Sequence, residues 1–523
     1  YILLRIKSTR KEVAFMEITL ERQNILTENT LSEEVLEQAI DNEIMLPDFC
    51  GSMGRILKCS ARGKIISKRI VNSVLNIDGN VFLTVFYIDE NGCLKTFDQT
   101  LSFYRELNLK KDADITPLVK CKIEHISCRM LNPRKIEVHG SLSISIKLIE
   151  SSSRQCIKSA KNDDIQLRVE NRSITVPLGC TEKYMAVNDE IELPADSKPV
   201  TCLLRNCGRI EYTDCKSIAG KVIVKGELSV TVCYMTDEKL KVNELDTTIP
   251  FTQIIDIQNA DEDCFARADC EITALDIRCK TGFDGEVQSF TVSAGINTRV
   301  KIFKNKDVDF AVDAYSVKNA IKTKCERICL NRNLADVKED FSEEYTLDFG
   351  TELTGILDIF GQAAVTDVKT AGDRVTVNGT VQMCIIACDA DGSVNCFDKT
   401  VDFSRAVMTG QENGCISLSA AVDIKSFGYS LNGSSADVKV NMVLTGSLED
   451  CFDVSALSEI SVSEENALSG TRLPALTVYY CYDDERLFDI ARRYHTTVDA
   501  VKKVNGTDGD TVLKGSVILV PGV

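Results

Sequence analysis

The sequence predicts a mainly β protein in which three tandem, antiparallel, sandwich-like β domains precede a small α+β module of the order strand, helix, helix, strand. Three observations favour this fold class. A domain-sized unit recurs three times, each copy alternates apolar and polar residues with the period of two that half-buried strands have, and a run with helical periodicity lies after residue 475. At 523 residues the chain is also too long for a single hydrophobic core.

The copies share a glycine that lies 24 or 25 residues before a phenylalanine. The three pairs are Gly79 and Phe103, Gly226 and Phe251, and Gly379 and Phe403. Successive glycines are 147 and 153 residues apart, whereas the units of solenoid proteins are about 20 to 50 residues long. The repeat therefore predicts tandem domains. Each glycine falls on the apolar face of its strand, which predicts a bulge or the close packing of another strand.

Turn signals follow these strands. The residues from Asp89 to Gly92 and from Asp389 to Gly392 tolerate positive φ, and each group predicts a β-hairpin. The second copy has Thr236 to Lys239 at this place without a glycine, so we expect a different turn there. A second strand-rich half follows in every copy.

The repeats and the composition also predict the domain boundaries. The first residues are basic and patternless whereas the rest of the chain is acidic, which favours Met16 as the true start. The predicted segments are a non-native or disordered leader at 1–15, β domains at 16–150, 178–303 and 323–450, a linker rich in Ser and Glu at 451–474, and the C-terminal module at 475–523.

Composition and charge argue against several classes of function. A net charge of −17 disfavours nucleic acid and anionic lipid as partners, and no apolar run is long enough for a membrane span. The 22 cysteines are about 4% of the chain, too few for a disulfide scaffold, so reduced thiols in a cytoplasm are expected. None of the three histidines has the spacing of a metal-binding motif. The pair Cys384-x-x-x-Cys388 is predicted to be two thiols packed on one face of a strand. We therefore expect no enzyme activity, no cofactor and no metal.

Several of these elements together resemble a known domain. The run MEITLERQNI from Met16, the Glu-Ile-x-Leu-Pro element at 43–47 and the glycine-centred strand are similar to the SPOCS domain. The resemblance implies clostridial spore-coat assembly proteins of the SipL kind, in which such domains occur in tandem and often precede a LysM module.

The C-terminal module has clear element signals. Residues 477–480 predict a strand, and Leu487, Ile490, Ala491 and Tyr494 lie on one face of a predicted helix. Thr496 or Thr497 caps a second predicted helix, whose inward-facing residues are Val498, Val501 and Val504. Asn505-Gly506 ends that helix, and residues 516–521 predict the closing strand.

This order, together with the Asp-Glu-Arg-Leu-Phe-Asp-Ile-Ala run, is similar to LysM modules, which bind N-acetylglucosamine polymers. The resemblance implies a ligand site between two loops, formed by Asp484, Glu485, Arg486, Leu487, Phe488, Asn505, Gly506, Asp508, Lys514 and Gly515. The sequence departs from the family at Asp484, where a glycine is usual, and at Lys514, where a proline is usual. These departures favour protein binding over sugar binding.

Five aromatic residues of the module form the densest aromatic cluster of the chain, namely Tyr479, Tyr480, Tyr482, Phe488 and Tyr494. Such residues form either a platform that binds sugar or protein, or part of the module's core. We expect at least half of them to belong to the core.

Two functional hypotheses follow. The first is a non-enzymatic spore-coat assembly protein in the mother-cell cytoplasm at the forespore surface, which docks onto the coat's morphogenetic ATPase or other coat proteins. The second is a cell-wall protein whose LysM-like module binds peptidoglycan.

Overall fold

The computed structural model describes residues 19–48, 50–110, 115–162, 164–194, 197–236, 241–282, 285–410, 414–467 and 474–522. The predicted leader, Met16 and residues 237–239 of the second-copy turn lie outside these residues. Within them the chain is almost entirely antiparallel β-strand with two short helices. The predicted mainly β class is therefore confirmed.

Residues 20–160 form two three-stranded sheets that share one core, and we call this unit block 1. Its strands are β1 (Leu20–Met45), β2 (Met53–Val71), β3 (Val74–Asp89), β4 (Leu94–Asn108), β5 (Ile115–Asn132) and β6 (Lys135–Ala160). One sheet has the order β1-β6-β5 and the other the order β2-β3-β4. Alternate residues of β3 and β6 point between the sheets, and Leu75, Ile77, Ile136 and Ile144 are completely buried there.

The same strand order recurs twice. Block 2 contains β7 (Ile165–Glu192), β8 (Val200–Ile218), β9 (Lys221–Thr236), β10 (Val242–Asp256), β11 (Phe265–Thr281) and β12 (Val287–Ser316). Block 3 contains β13 (Asn319–Asp348), β14 (Leu353–Ala371), β15 (Arg374–Asp389), β16 (Val394–Met408), β17 (Cys415–Asn432) and β18 (Ser435–Ala467). Their sheets are β7-β12-β11 with β8-β9-β10, and β13-β18-β17 with β14-β15-β16.

The repeated glycine lies directly opposite the repeated phenylalanine. Gly79 on β3 pairs with Phe103 on β4, and a Cβ added to Gly79 would lie 2.1 Å from the Phe103 ring. On its other side, β2 shifts register between Ile65, which faces Gly79, and Ser67. Equivalent pairings and register shifts occur at Gly226 and Gly379. Both predicted reasons for the glycine, a bulge and a close contact, therefore apply together.

The predicted hairpins are present in blocks 1 and 3. Gly92 and Gly392 both have a φ of +77° and end the two turns. In each turn an aspartate carboxylate accepts hydrogen bonds from backbone amides; Asp89 Oδ1, for example, accepts from the N–H groups of Asn91 at 2.9 Å and Cys93 at 2.8 Å.

The first and last strands of each block extend beyond their own core. The N-terminal part of β1 stays paired with the C-terminal part of β6 as far as Leu20 and Ala160. The corresponding two-stranded ribbons of all three blocks pack against one another in a common cluster, which includes Ile25, Cys156, Ile174, Phe310, Ile328 and Val454. The predicted domain ends at 150, 178, 303, 323 and 450 therefore fall inside strands.

The linker prediction is wrong for residues 451–467. These residues continue β18 and pair with β13. Val454, Ala456, Leu457 and Ile460 are each at most 6% exposed. The Ser and Glu residues that suggested a linker alternate with these buried side chains, because one face of the ribbon contacts solvent.

A second cluster joins the outer faces of the β2-β3-β4, β8-β9-β10 and β14-β15-β16 sheets. Its fully covered members include Phe86, Leu204 and Ile386, one from each block. The Phe86 ring of block 1 stacks on Phe360 of block 3 at 5.2 Å between centroids. Arg205 of block 2 forms a bidentate ion pair with Asp358 of block 3, with both N···O distances at 2.8 Å. The three blocks thus cover each other's outer apolar faces.

One pair of cysteines departs from the expected reduced state. Cys59 on β2 and Cys128 on β5 form a disulfide bond that links the two sheets of block 1. Among the described residues, no helix combines the length and apolarity that crossing a bilayer requires.

The C-terminal residues form a separate small module. Its elements are β19 (Leu476–Tyr480), β20 (Glu485–Arg486), α1 (Leu487–Arg493), α2 (Val498–Asn505), β21 (Thr511–Val512) and β22 (Val517–Pro521). β19 pairs with β22, and the two-residue strands β20 and β21 pair with each other. The predicted strand, helix, helix, strand order is present, with one short ladder added.

Candidate functional site

The core of the C-terminal module forms as the helical pattern predicts. Leu487, Ile490, Ala491 and Val501 are at most 1% exposed. Thr497 caps α2 by accepting a hydrogen bond from the Ala500 N–H at 3.1 Å, and Gly506 ends it in the left-handed conformation at a φ of +61°. The prediction that Val504 faces inward is wrong, because its side chain is 43% exposed.

Helix α1 attaches the module to block 2. The Phe488 ring packs edge-on against Tyr315 of β12, with 5.0 Å between centroids. The Tyr315 hydroxyl donates a hydrogen bond to the Thr496 carbonyl at 2.7 Å, and Arg492 pairs with Asp313 while covering both rings. The module therefore has one face held by the body.

Two of the ten predicted site residues are buried, Leu487 within the module's core and Phe488 against the body. Phe488 is 7% exposed and Leu487 is 1% exposed. Both side chains belong to the cluster that includes Tyr315. Neither is available to a ligand that approaches the loops.

The structure does bring the two predicted loops together. The Lys514 N–H donates a hydrogen bond to Asp484 Oδ1 at 2.8 Å, and the Lys514 ammonium lies 3.6 Å from Asp483. The Gly515 N–H also donates to the Cys481 carbonyl at 2.8 Å. The Asp484 side chain thus occupies the backbone donor of Lys514 between the two loops.

The Glu485 side chain forms hydrogen bonds within the module. Its carboxylate accepts hydrogen bonds from the Tyr479 hydroxyl at 2.7 Å and from Arg493 at 3.1 Å. The hydrogen bond to Glu485 raises the pKa of Tyr479, and the hydrogen bond between Arg493 and Tyr479 raises the pKa of Arg493. The three side chains keep the first loop against α1. Arg486, beside them, is exposed.

On the second loop, Asn505 also holds the fold. Its amide donates to the carbonyls of Val501 and Leu519, and its oxygen accepts from the Leu519 N–H, each at 2.7 Å. These bonds tie the end of α2 to β22. Gly506, Asp508, Lys514 and Gly515 are exposed.

The module also has an exposed apolar surface along β19, formed by residues other than the ten predicted site residues. Leu476, Val478 and Tyr480 alternate along β19 and share a face with Val517, which is paired with Tyr480. Tyr482 packs edge-on against Tyr480 at 5.4 Å. These five side chains, which we call the apolar face, are between 48% and 74% exposed.

The sequence contained a signal for the apolar face. Four of the five residues of β19 are apolar or aromatic, the exception being Thr477, whereas a strand with one solvated face alternates regularly with polar residues. Of the aromatic cluster, Phe488, Tyr479 and Tyr494 contribute to the core as expected. Tyr480 and Tyr482 do not.

Two segments of the chain match the family model of the SipL SPOCS domain. They are residues 52–131 and 199–280, which cover β2 to β5 of block 1 and β8 to β11 of block 2 except for the last residue of β5 and of β11. The SPOCS resemblance is therefore confirmed for these two segments. Block 3 has the same strand order, with β14 to β17 in the corresponding place. Comparison with curated proteins and comparison with solved structures each gave no match.

Proposed function

We propose that this protein is a non-enzymatic assembly protein of the spore coat, which acts by binding other proteins. The SPOCS match fits a spore-coat-related role. The observation that carries the binding mechanism is the apolar face of the C-terminal module, where Val478 is 67% and Tyr482 is 74% exposed. Contiguous exposed apolar side chains are typical of protein interaction sites.

The composition of the apolar face favours a protein partner over a glycan. Leu476, Val478 and Val517 are aliphatic and carry no hydrogen-bonding group, whereas sugar recognition relies on polar contacts beside an aromatic ring. Tyrosines next to aliphatic residues are typical of the energetic centre of a protein interface. The face also lies on a strand pair that α1 and the body leave open.

The loop geometry argues in the same direction. Asp484 already accepts the Lys514 N–H, and Asp483 pairs with the Lys514 ammonium. Leu487 and Phe488 are buried. Of the predicted LysM ligand set, the exposed remainder is mostly charged. By resemblance, the partner is the coat's morphogenetic ATPase, and the place of action is the forespore surface in the mother cell.

The proposal is tested with the full chain and the substitution Val478→Asp. We expect the chain to bind the purified coat ATPase, and the charge placed in the apolar face to weaken binding by about tenfold or more. The matched control is Val35→Asp on β1, because Val35 is also exposed, at 66%. This control should leave the dissociation constant unchanged.

Sedimentation with purified peptidoglycan separates the two functional hypotheses. Saturable retention of the full chain on the glycan, unaffected by Val478→Asp, would contradict the assembly role and favour the cell-wall role. Equal loss of ATPase binding in both valine variants would show that the apolar face is not the contact.

A further inference from the structure

Three metal-ligating side chains meet on the β15-β16 hairpin of block 3. Cys384 on β15 lies directly opposite Asp398 on β16, and Cys396 lies two residues before Asp398 opposite Ile386. Alternate residues of a strand share a face, so all three side chains lie on the same side of the hairpin. One ligand atom from each residue lies within 4.8 Å of the other two.

The other two blocks show what the same position looks like without thiols. In block 1 the residues at these places are Thr84, Thr96 and Asp98, and the Thr84 hydroxyl donates to Asp98 at 2.6 Å. In block 2 the Thr231 hydroxyl donates to Asp246 in the same way. The aspartate is thus a shared feature of the three sheets. Only block 3 surrounds it with two sulfur atoms.

The two sulfurs are unusually close and differ in exposure. Cys384 Sγ and Cys396 Sγ are 2.9 Å apart, so one thiol donates to the other. Cys384 is 5% exposed, whereas the side chain of Asp398 is 66% exposed. The site therefore has a buried end formed by sulfur and an open end formed by a carboxylate, which leaves a route from solvent.

A cation already lies at this site. The Lys58 ammonium, from β2 of block 1, donates to both carboxylate oxygens of Asp398 at 2.7 Å. The three ligand residues therefore lie beside a position that already holds a positive charge.

We propose that Cys384, Cys396 and Asp398 bind a thiophilic divalent cation of the Zn²⁺ class, and that the cation displaces Lys58 from Asp398. Thiolate and carboxylate ligands with a tetrahedral arrangement are typical of zinc, and a water molecule would take the fourth position. With Zn–S bonds of about 2.3 Å, the sulfurs would move to about 3.8 Å apart. Binding releases the thiol protons, so affinity rises with pH.

The site lies between blocks, which gives the cation a structural consequence. Lys58 belongs to block 1, whereas the three ligands belong to block 3. Exchange of Lys58 for the metal removes one contact between β2 and β16. The neighbouring contacts of Arg55 with Val394 and Asn395 remain. This inference is independent of the docking role proposed for the C-terminal module.

The test uses the full chain, reduced and freed of metal, titrated with Co²⁺ and then with Zn²⁺. We expect one Co²⁺ per chain with a thiolate-to-cobalt charge-transfer band, and the loss of that band when Zn²⁺ is added. The double substitution Cys384→Thr with Cys396→Thr installs the threonines that block 1 uses, so we expect it to fold and to lose the band. Asp398→Asn should weaken affinity by about tenfold or more.

Two further variants make the result decisive. Cys388→Ser changes a buried cysteine of the same strand outside the cluster, and it should keep the band. Lys58→Met should tighten metal binding because it removes the competing ammonium. A band that survives in the threonine variant, or the absence of a band in the wild-type chain, overturns the site. Unchanged or weaker binding in Lys58→Met overturns the displacement.

Discussion

The three-block body and the C-terminal module differ in how exposed the outer faces of their sheets are. In the body, the outward-facing Phe86, Leu204 and Ile386 are at most 4% exposed, because each block covers the others. In the module, the equivalent kind of face on β19 and β22 is open, and Val478 is 67% exposed. The blocks of the body therefore cover these apolar side chains, whereas the module leaves its apolar face exposed, where we propose that a partner binds.

The largest expected effect comes from breaking the contact between blocks 2 and 3. Arg205→Met leaves Asp358 buried without its partner, since the two side chains are only 16% and 8% exposed. We expect the free energy of unfolding of the body in urea to fall by about 3 kcal/mol. Adding Asp358→Leu should restore most of the loss, because no uncompensated charge remains.

The surface pair Arg278–Asp276 provides the control, with side chains 79% and 52% exposed. Arg278→Met should change the free energy of unfolding by less than about 1 kcal/mol. Equal effects of Arg205→Met and Arg278→Met would contradict the view that the blocks depend on each other.

Alkaline pH should loosen the same interface, where the Cys233 Sγ accepts a hydrogen bond from Arg205 at 3.4 Å. Burial raises the pKa of Cys233 to about 12 from an ordinary value of 9.0. The folded state holds this thiol neutral while the unfolded chain ionises, so its contribution is complete below pH 9 and is lost between pH 9 and about 12. Each such thiol should lower the free energy of unfolding by about 1 kcal/mol per pH unit in that window.

Cys233→Ala checks this by removing one titrating group. Urea unfolding measured from pH 8 to pH 11 should show a shallower decline in the variant than in the wild type. If the two slopes coincide, Cys233 does not contribute to the alkaline loss.

The smallest expected effect concerns the junction between module and body. Tyr315→Phe keeps the ring contact with Phe488 but removes the hydrogen bond to the Thr496 carbonyl. We expect the free energy that stabilises the contact between module and body to fall by about 1 kcal/mol. This loss corresponds to about fivefold faster amide exchange in α1 and α2. Tyr429→Phe, which removes a hydrogen bond to Ile356 within block 3, should leave that exchange unchanged. Unchanged exchange in Tyr315→Phe would show that the hydroxyl does not hold the module.

Local sequence patterns predicted much of the fold. The spacing of Gly79 and Phe103 marks two residues that meet across one strand pair, and Thr497 and Gly506 act on their own helix ends. Such features depend on neighbours in sequence or on one hairpin, so a single chain segment is sufficient to specify them. The identity of the module as LysM and the arrangement of the three β units as tandem domains stay predictions.

Patterns of apolar residues were less informative about which surfaces are covered. The continuous apolar run from Met383 to Cys388 is buried on both faces, whereas β19, in which only Thr477 is polar, has one exposed face. Both segments are predominantly apolar. What differs is whether another block lies beside them, which depends on contacts more than 100 residues away in sequence, such as that between Arg205 and Asp358.

Local patterns were sufficient to predict the mainly β class, the threefold repeat, the hairpins and the element order of the C-terminal module, because short-range periodicity and turn chemistry depend on neighbouring residues. The three-dimensional packing was needed to show that residues 451–467 are a strand, that Phe488 faces the body and that Cys384, Cys396 and Asp398 meet beside Lys58. Those outcomes depend on how separate strands and blocks pack, and no spacing within one segment encodes that packing.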